Sequence, residues 1–172
     1  MMLRTSDERF DMRNRLFFAA LFFALTLHAA LASGQQLTVQ AAGEKQTVLT
    51  RADIEALRRV TVTTAVSGVS TTFAGVSLRA VLEKAVVGYG ETLKGKRLAS
   101  CLLVEAADGY RVVFALPELD PAFTDRQVIL AFVKDGKPLD DKEGPYRIVI
   151  GDEKRMARWI RQVTSLKIVD VQ

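Results

Sequence analysis

The residues best equipped for chemistry form a short basic segment near the carboxyl terminus. Within eight residues it carries four cations, which are Lys154, Arg155, Arg158 and Arg161. An arginine presents a planar fork of donors that can meet two oxygens of one phosphate, so such a segment could hold an anionic group. The alternative is a solvated charged surface, because Asp152 and Glu153 directly precede the segment and offset part of its charge. Residue types alone favour the charged surface.

Two scarce residue types exclude several classes of catalytic site. The chain has one histidine, His28, and one cysteine, Cys101. His28 lies in an amino-terminal segment that is predicted to be removed, so the mature domain is expected to lack histidine. A Ser-His-Asp or Cys-His triad, a histidine-based metal site and an intramolecular disulfide are therefore excluded.

The other candidate residues favour structural roles. Cys101 lies in an apolar run, residues 98–104, without the basic neighbours that would activate a thiol, so it is predicted to be buried. Trp159 could stack on a flat ligand but is predicted to lie in the core or at its rim. Four carboxylates surround a loop without a spacing that marks an acid–base pair, and these are Asp108, Glu118, Asp120 and Asp125.

The first 32 residues have the layout of a secretory signal peptide. Arginines precede an apolar run at residues 16–27, and Ala30-Leu31-Ala32 supplies small residues for cleavage. A membrane anchor is the alternative, but a span needs roughly 20 apolar residues and this run is shorter. Cleavage is predicted after Ala32, leaving a periplasmic or secreted protein without a membrane span. Either Met1 or Met12 can serve as the start.

The mature chain, residues 33–172, has enough length for one domain with a real core. It carries 20 basic and 17 acidic residues, a net charge of +3. No stretch combines dense lysine and arginine with interleaved aromatic residues. Nucleic-acid binding is therefore not expected.

Hydrophobic patterning predicts a mostly β, mixed α+β domain with short helices. The predicted strands cover residues 36–40, 46–49, 60–66, 98–105, 110–115, 127–133, 146–150 and 163–171. Thr50 is predicted to begin a helix over residues 51–59 through a capping box. A second, amphipathic helix is predicted to be capped by Ser77 and to end at Gly88 and Gly90.

Five local patterns follow one another in an order that resembles a known family. They are Phe73-Ala74-Gly75-Val76-Ser77-Leu78 followed by Val81-Leu82, Glu105-Ala106-Ala107-Asp108-Gly109-Tyr110, Val128-Ile129-Leu130-Ala131-Phe132 leading to Asp135-Gly136-Lys137-Pro138-Leu139, Glu143-Gly144-Pro145-Tyr146-Arg147-Ile148-Val149-Ile150, and Arg158-Trp159-Ile160-Arg161-Gln162-Val163. Together they resemble the molybdopterin-binding oxidoreductase domain of the sulfite-oxidase type over residues 72–171. The resemblance implies that family's fold, an α+β domain rich in mixed sheet.

The resemblance also implies a role for the basic segment. In the family, basic residues and backbone amides at this place hold the terminal phosphate of the pterin. Arg158 matches the family's basic position best, with Lys154, Arg155 and Arg161 as its neighbours. Molybdopterin is thus the cofactor that the resemblance implies.

The sequence departs from the family at the position of the molybdenum ligand, and this departure argues against molybdenum chemistry. The cysteine that ligates molybdenum in the family would fall near Thr63, within Thr61-Val62-Thr63-Thr64. A threonine hydroxyl does not replace a soft, charged thiolate as a molybdenum ligand. Cys101 is predicted to lie on another strand and so cannot take its place.

These observations predict an exported, non-catalytic family member without a cofactor. It would bind a small anionic ligand or a periplasmic protein partner in the former cofactor groove. The signal agrees, because Arg13-Asn14-Arg15 lacks the twin arginines that export of a folded, loaded enzyme uses. This pattern predicts a Sec-type signal. Two alternatives stay open: an active molybdenum-pterin oxidoreductase with Thr63 or Thr64 as ligand, and a protein-interaction module of a periplasmic sensor or redox system.

Overall fold

The computed structural model describes residues 36–41, 43, 45–86 and 93–170. The predicted signal peptide with its cleavage site after Ala32, and the predicted helix end at Gly88 and Gly90, lie outside the described residues. No helix in the described part of the chain is both long and apolar enough to cross a membrane.

The described residues form two β-sheets and two short α-helices. The strands are β1 (Leu37–Gln40), β2 (Thr47–Leu49), β3 (Arg59–Val66), β4 (Val69–Ser77), β5 (Cys101–Ala106), β6 (Arg111–Ala115), β7 (Val128–Lys134), β8 (Lys137–Pro138), β9 (Arg147–Ile150) and β10 (Val163–Val169). The helices are α1 (Arg51–Glu55) and α2 (Leu78–Ala85). Short 3-10 helices cover Gly95–Ala99, Leu116–Leu119 and Met156–Arg158.

The first sheet has the order β2-β1-β10-β5-β6. Strands β1 and β10, which are far apart in the sequence, pair in parallel. The other strand pairs of this sheet are antiparallel. The second sheet runs β3-β4-β7, with β8 and β9 both paired to β7, and is antiparallel throughout. Buried residues of both sheets and both helices form one hydrophobic cluster. The predicted α+β domain with a mixed sheet and short helices is thereby confirmed.

The helix starts show where local sequence prediction holds and where pairing overrides it. Thr50 and Asp53 form the predicted capping box, with the Thr50 backbone N–H donating to Asp53 at 3.0 Å. The Thr50 hydroxyl also donates to the Asp53 carboxylate at 2.6 Å, and this bond, with the backbone one, holds the pKa of Asp53 below its ordinary value. Ser77 makes no capping hydrogen bond, contrary to prediction, because it is still the last residue of β4 and pairs with Ile129 of β7.

Two predicted elements are longer than the observed ones. The first helix ends at Glu55 and not at residue 59, because Arg59 already belongs to β3 and pairs with Val76. The strand predicted from residue 98 begins at Cys101, since a 3-10 helix covers Gly95–Ala99.

Cys101 differs from its predicted burial. On β5, Leu102, Val104 and Ala106 face the core, which leaves Cys101 on the opposite face and only half-buried.

Candidate functional site

The basic segment lies in the loop between β9 and β10. Lys154, Arg155 and Arg161 are exposed, whereas Arg158 is partly buried at the end of the 3-10 helix Met156–Arg158. The loop therefore presents three of the predicted cations to solvent and folds the fourth against the domain.

Arg158 is held by two carboxylates and one ring. Its Nη1 lies 3.1 Å from Glu118 Oε2, and its Nη2 lies 2.8 Å from Glu153 Oε2. The guanidinium carbon lies 4.9 Å from the centroid of the Phe114 ring. Burial lowers the pKa of Arg158, but the hydrogen bonds to Glu118 and Glu153 outweigh it and leave that pKa raised. Arg158 is thus a fixed cation with its charge already compensated.

Glu118 extends this arrangement to a second arginine. Its Oε2 lies 3.5 Å from Arg126 Nη1, and Arg126 Nε lies 3.1 Å from Asp152 Oδ1. The other oxygen, Glu118 Oε1, accepts the backbone N–H of Ala115 at 3.1 Å. We call the five alternating charges the Glu118 network, which consists of Asp152, Arg126, Glu118, Arg158 and Glu153.

Three of the four carboxylates considered for acid–base chemistry have separate partners, and the fourth, Asp125, lines a cleft with Arg126. Glu118 belongs to the Glu118 network, while Asp120 pairs with Arg79 at 2.5 Å. Asp108 accepts the backbone N–H of Tyr110. No hydrogen bond joins two of these carboxylates within the described residues, so the arrangement does not resemble an acid–base pair.

A basic cleft of about 310 Å³ lies beside the basic segment. Its walls include Tyr110, Lys142, Trp159 and Arg161, with Asp108 as its carboxylate. The Tyr110 hydroxyl donates to the carbonyl of Ala157 at 3.0 Å and so fastens the β5–β6 hairpin to the basic loop. Neither Lys142 nor Arg161 pairs with a carboxylate in the part of the chain that the structure describes.

Thr63 lies in a different cleft of about 480 Å³, which we call the threonine cleft. Thr61 and Thr63 of β3 form one wall, and Asp125, Arg126 and Asp152 contribute charge. None of the four predicted basic residues lines this cleft. Thr63 Oγ1 lies 3.0 Å from Thr72 Oγ1, so its hydroxyl already has a partner.

The donor set around Thr63 does not fit molybdenum. The cleft offers hydroxyl groups and carboxylates, and the chain's only thiol, Cys101, belongs to β5 of the other sheet. Within the described residues, no three histidine, cysteine or carboxylate side chains are grouped to hold a metal ion. Arg158 is also poorly placed for the phosphate-binding role that the resemblance implies. Its guanidinium is already paired with two carboxylates.

A buried cation, Arg147, packs against Trp159, which is one of the residues lining the basic cleft. The Arg147 side chain is 9% exposed, and its Nη1 lies 2.8 Å from Glu143 Oε1. Lys134 Nζ lies 3.2 Å from the same oxygen. The Arg147 guanidinium lies against Phe73 at 5.1 Å and Trp159 at 5.8 Å. Those two rings meet edge to face at 5.9 Å, so Trp159 is a core residue as predicted.

Sequence reasoning missed Lys142 and Tyr110 as members of the basic cleft, and missed Arg126 as a partner of Glu118. The only sequence signal for Tyr110 is its position directly after the turn Ala107-Asp108-Gly109. Lys142 and Arg126 carry no local signal, because the loops that bring them into place are set by long-range packing.

Comparison with known proteins adds a family and a fold. The family model described as the oxidoreductase molybdopterin binding domain matches residues 27–172. No curated protein matches the chain. The crystal structure of the sulfane dehydrogenase SoxCD from Paracoccus pantotrophus is similar at 22% identity and a TM-score of 0.61, covering 79% of this chain. The match spans only 38% of the length of the SoxCD chain. The likeness confirms the predicted sulfite-oxidase-like fold.

Proposed function

Because the chain belongs to the oxidoreductase molybdopterin-binding domain family, we propose that it is an exported, non-catalytic member that binds a small anionic ligand in the basic cleft. The observation that carries this proposal is that two cations of the cleft, Lys142 and Arg161, have no carboxylate partner among the described residues and lie beside one carboxylate, Asp108. Asp108 is itself engaged by a backbone N–H. The cleft therefore has positive charge to offer a ligand.

The size and walls of the basic cleft support a small ligand. About 310 Å³ lies at the lower end of the range for small-molecule sites. The exposed ring of Tyr110 gives the cleft aromatic surface, while the basic side chains can make charge-assisted hydrogen bonds. An organic anion with a phosphate or carboxylate group has the matching chemistry.

The non-catalytic part of the proposal rests on the threonine cleft. Thr63 offers a hydroxyl where the family resemblance expects a thiolate, and that hydroxyl is engaged by Thr72 at 3.0 Å. Oxygen donors of this kind would not hold or tune molybdenum as sulfur does. The chain has no second cysteine that could substitute.

Export is proposed from the amino-terminal pattern of arginines, an apolar run and Ala30-Leu31-Ala32. Arg13-Asn14-Arg15 lacks adjacent arginines, which supports a Sec-type route for an unfolded chain. A cofactor inserted before export would not survive that route, so export and the absence of cofactor are consistent with each other.

Inorganic pyrophosphate is a suitable probe of the basic cleft. We expect Lys142→Gln and Arg161→Gln each to weaken its binding about tenfold in calorimetric titration, since each removes one charge-assisted contact. Lys96→Gln is the matched control, because Lys96 is an exposed lysine of the 3-10 helix Gly95–Ala99. The proposed ligand site is wrong if the Lys142→Gln, Arg161→Gln double variant binds pyrophosphate as tightly as the control.

A further inference from the structure

One carboxylate oxygen in the Glu118 network serves two guanidiniums. Glu118 Oε2 lies 3.1 Å from Arg158 Nη1 and 3.5 Å from Arg126 Nη1. The outer sides of the two arginines are occupied by Glu153 and Asp152. Guanidiniums bind phosphate oxygens through the same kind of charge-assisted hydrogen bond, and here the shared oxygen belongs to the protein.

Protein contacts position both arginines and Glu118, and Arg126 is held by Asp152 at 3.1 Å. Arg158 packs on the Phe114 ring, and Glu118 is oriented by the backbone N–H of Ala115. The side chains of Arg158, Arg126 and Glu118 remain 28%, 31% and 34% exposed. An anion in solution can therefore reach the network. However, both guanidiniums are already paired with carboxylates of the protein.

The charge balance of the network opposes an incoming anion. Three carboxylates surround two guanidiniums, so the network has a net negative charge. A phosphate would have to displace Glu118 and Glu153 while it is repelled by Asp152. Like charges at such separations raise the free energy of the bound state.

We propose that Glu118 and Glu153 are internal occupants of a two-arginine anion site, and that they keep a phosphate-bearing cofactor out of this domain. The inference rests on the cofactor-free part of the proposed function and gives it a physical cause. It also gives Arg158 a structural role, because the arginine holds the loop between β9 and β10 against Glu118.

The test opens the site by removing the internal occupants. The Glu118→Gln, Glu153→Gln double variant is titrated with inorganic pyrophosphate in a background carrying Lys142→Gln and Arg161→Gln, so that the basic cleft does not contribute. We expect pyrophosphate affinity to rise about tenfold over the same background with both glutamates intact. Arg158→Ala added to the opened variant should abolish the gain, because the new contacts are made by its guanidinium.

A matched control separates a local effect from a change in net charge. Glu83→Gln with Glu105→Gln removes two carboxylates that pair with Arg79 and Arg111 elsewhere on the surface. An opened variant that binds no tighter than this control overturns the inference, whether or not the basic cleft binds its ligand. If the double variant does not fold, Glu153→Gln alone frees Nη2 of Arg158, and the expected gain is then about threefold, a fraction of the full effect. Absence of that gain also overturns the inference.

Discussion

Replacing Glu143 by glutamine is expected to lower the free energy of unfolding by about 3 kcal/mol in urea denaturation, because it leaves a buried cation without its carboxylate. The Arg147 side chain is 9% exposed, and Glu143 Oε1 is its ion-pair partner at 2.8 Å. The Nε atom of Arg147 has no hydrogen-bond partner in the described part of the protein. The cation–π contacts with Phe73 and Trp159 persist in the variant but are each worth only about 0.5–2 kcal/mol.

The control for this prediction is an exposed ion pair. Glu105 pairs with Arg111 at 3.0 Å, but the Arg111 side chain is 61% exposed. Glu105→Gln is therefore expected to cost between about 0 and 1 kcal/mol. Losses of equal size at Glu143 and Glu105 would show that burial of Arg147 does not govern the effect. A Glu143→Leu, Arg147→Met double variant should recover most of the loss, because it removes both charges together.

Replacing Gly75 by alanine is expected to destabilise the domain by about 3 kcal/mol or more, enough to impair folding. A β-carbon at this position would lie 2.1 Å from the carbonyl oxygen of Leu130 and 2.6 Å from the α-carbon of Ala131. Both atoms are backbone of β7, the neighbour of β4 in the sheet, and the register between the strands shifts at this point. The strand pair would have to separate to admit a methyl group.

Gly151→Ala provides the comparison for Gly75. The nearest atom to a β-carbon at Gly151 is Cγ1 of Val62, a side-chain methyl, at 3.1 Å. Because a side chain can move by a few tenths of an ångström, we expect this substitution to cost about 1 kcal/mol. The free energies of unfolding of the two variants are compared by thermal and urea denaturation. A Gly75→Ala protein as stable as Gly151→Ala would refute the close approach of β4 and β7.

The fold could be predicted from sequence where local patterns agree with pairing. The Thr50 capping box and the apolar strands β7 and β9 have strong local signals, and five ordered motifs suggested how the elements are assembled. Gly75 belongs to the first of those motifs, and its contact with β7 provides a physical reason for glycine there. Ser77 shows the limit, because its place in β4 depends on a partner strand more than 50 residues away.

The site was less predictable because its contacts are long-range. Arg158 was identified as a candidate anion-binding residue, and Glu153 was visible as a nearby carboxylate. Glu118, which lies 40 residues before Arg158 in the chain, could not be linked to it by any spacing. Likewise, the strand β9 was predicted, but nothing local indicated that Arg147 would be buried beside Glu143 and two aromatic rings.

We propose that the native protein is an exported domain without molybdenum or pterin. The most direct test is elemental analysis and pterin fluorescence on protein purified from its own organism, with the intact mass measured on the same sample. We predict a mature chain that begins at Ser33 and carries neither molybdenum nor pterin. About one molybdenum per chain, together with pterin fluorescence, would contradict the account and return Thr63 and Thr64 to consideration as metal ligands.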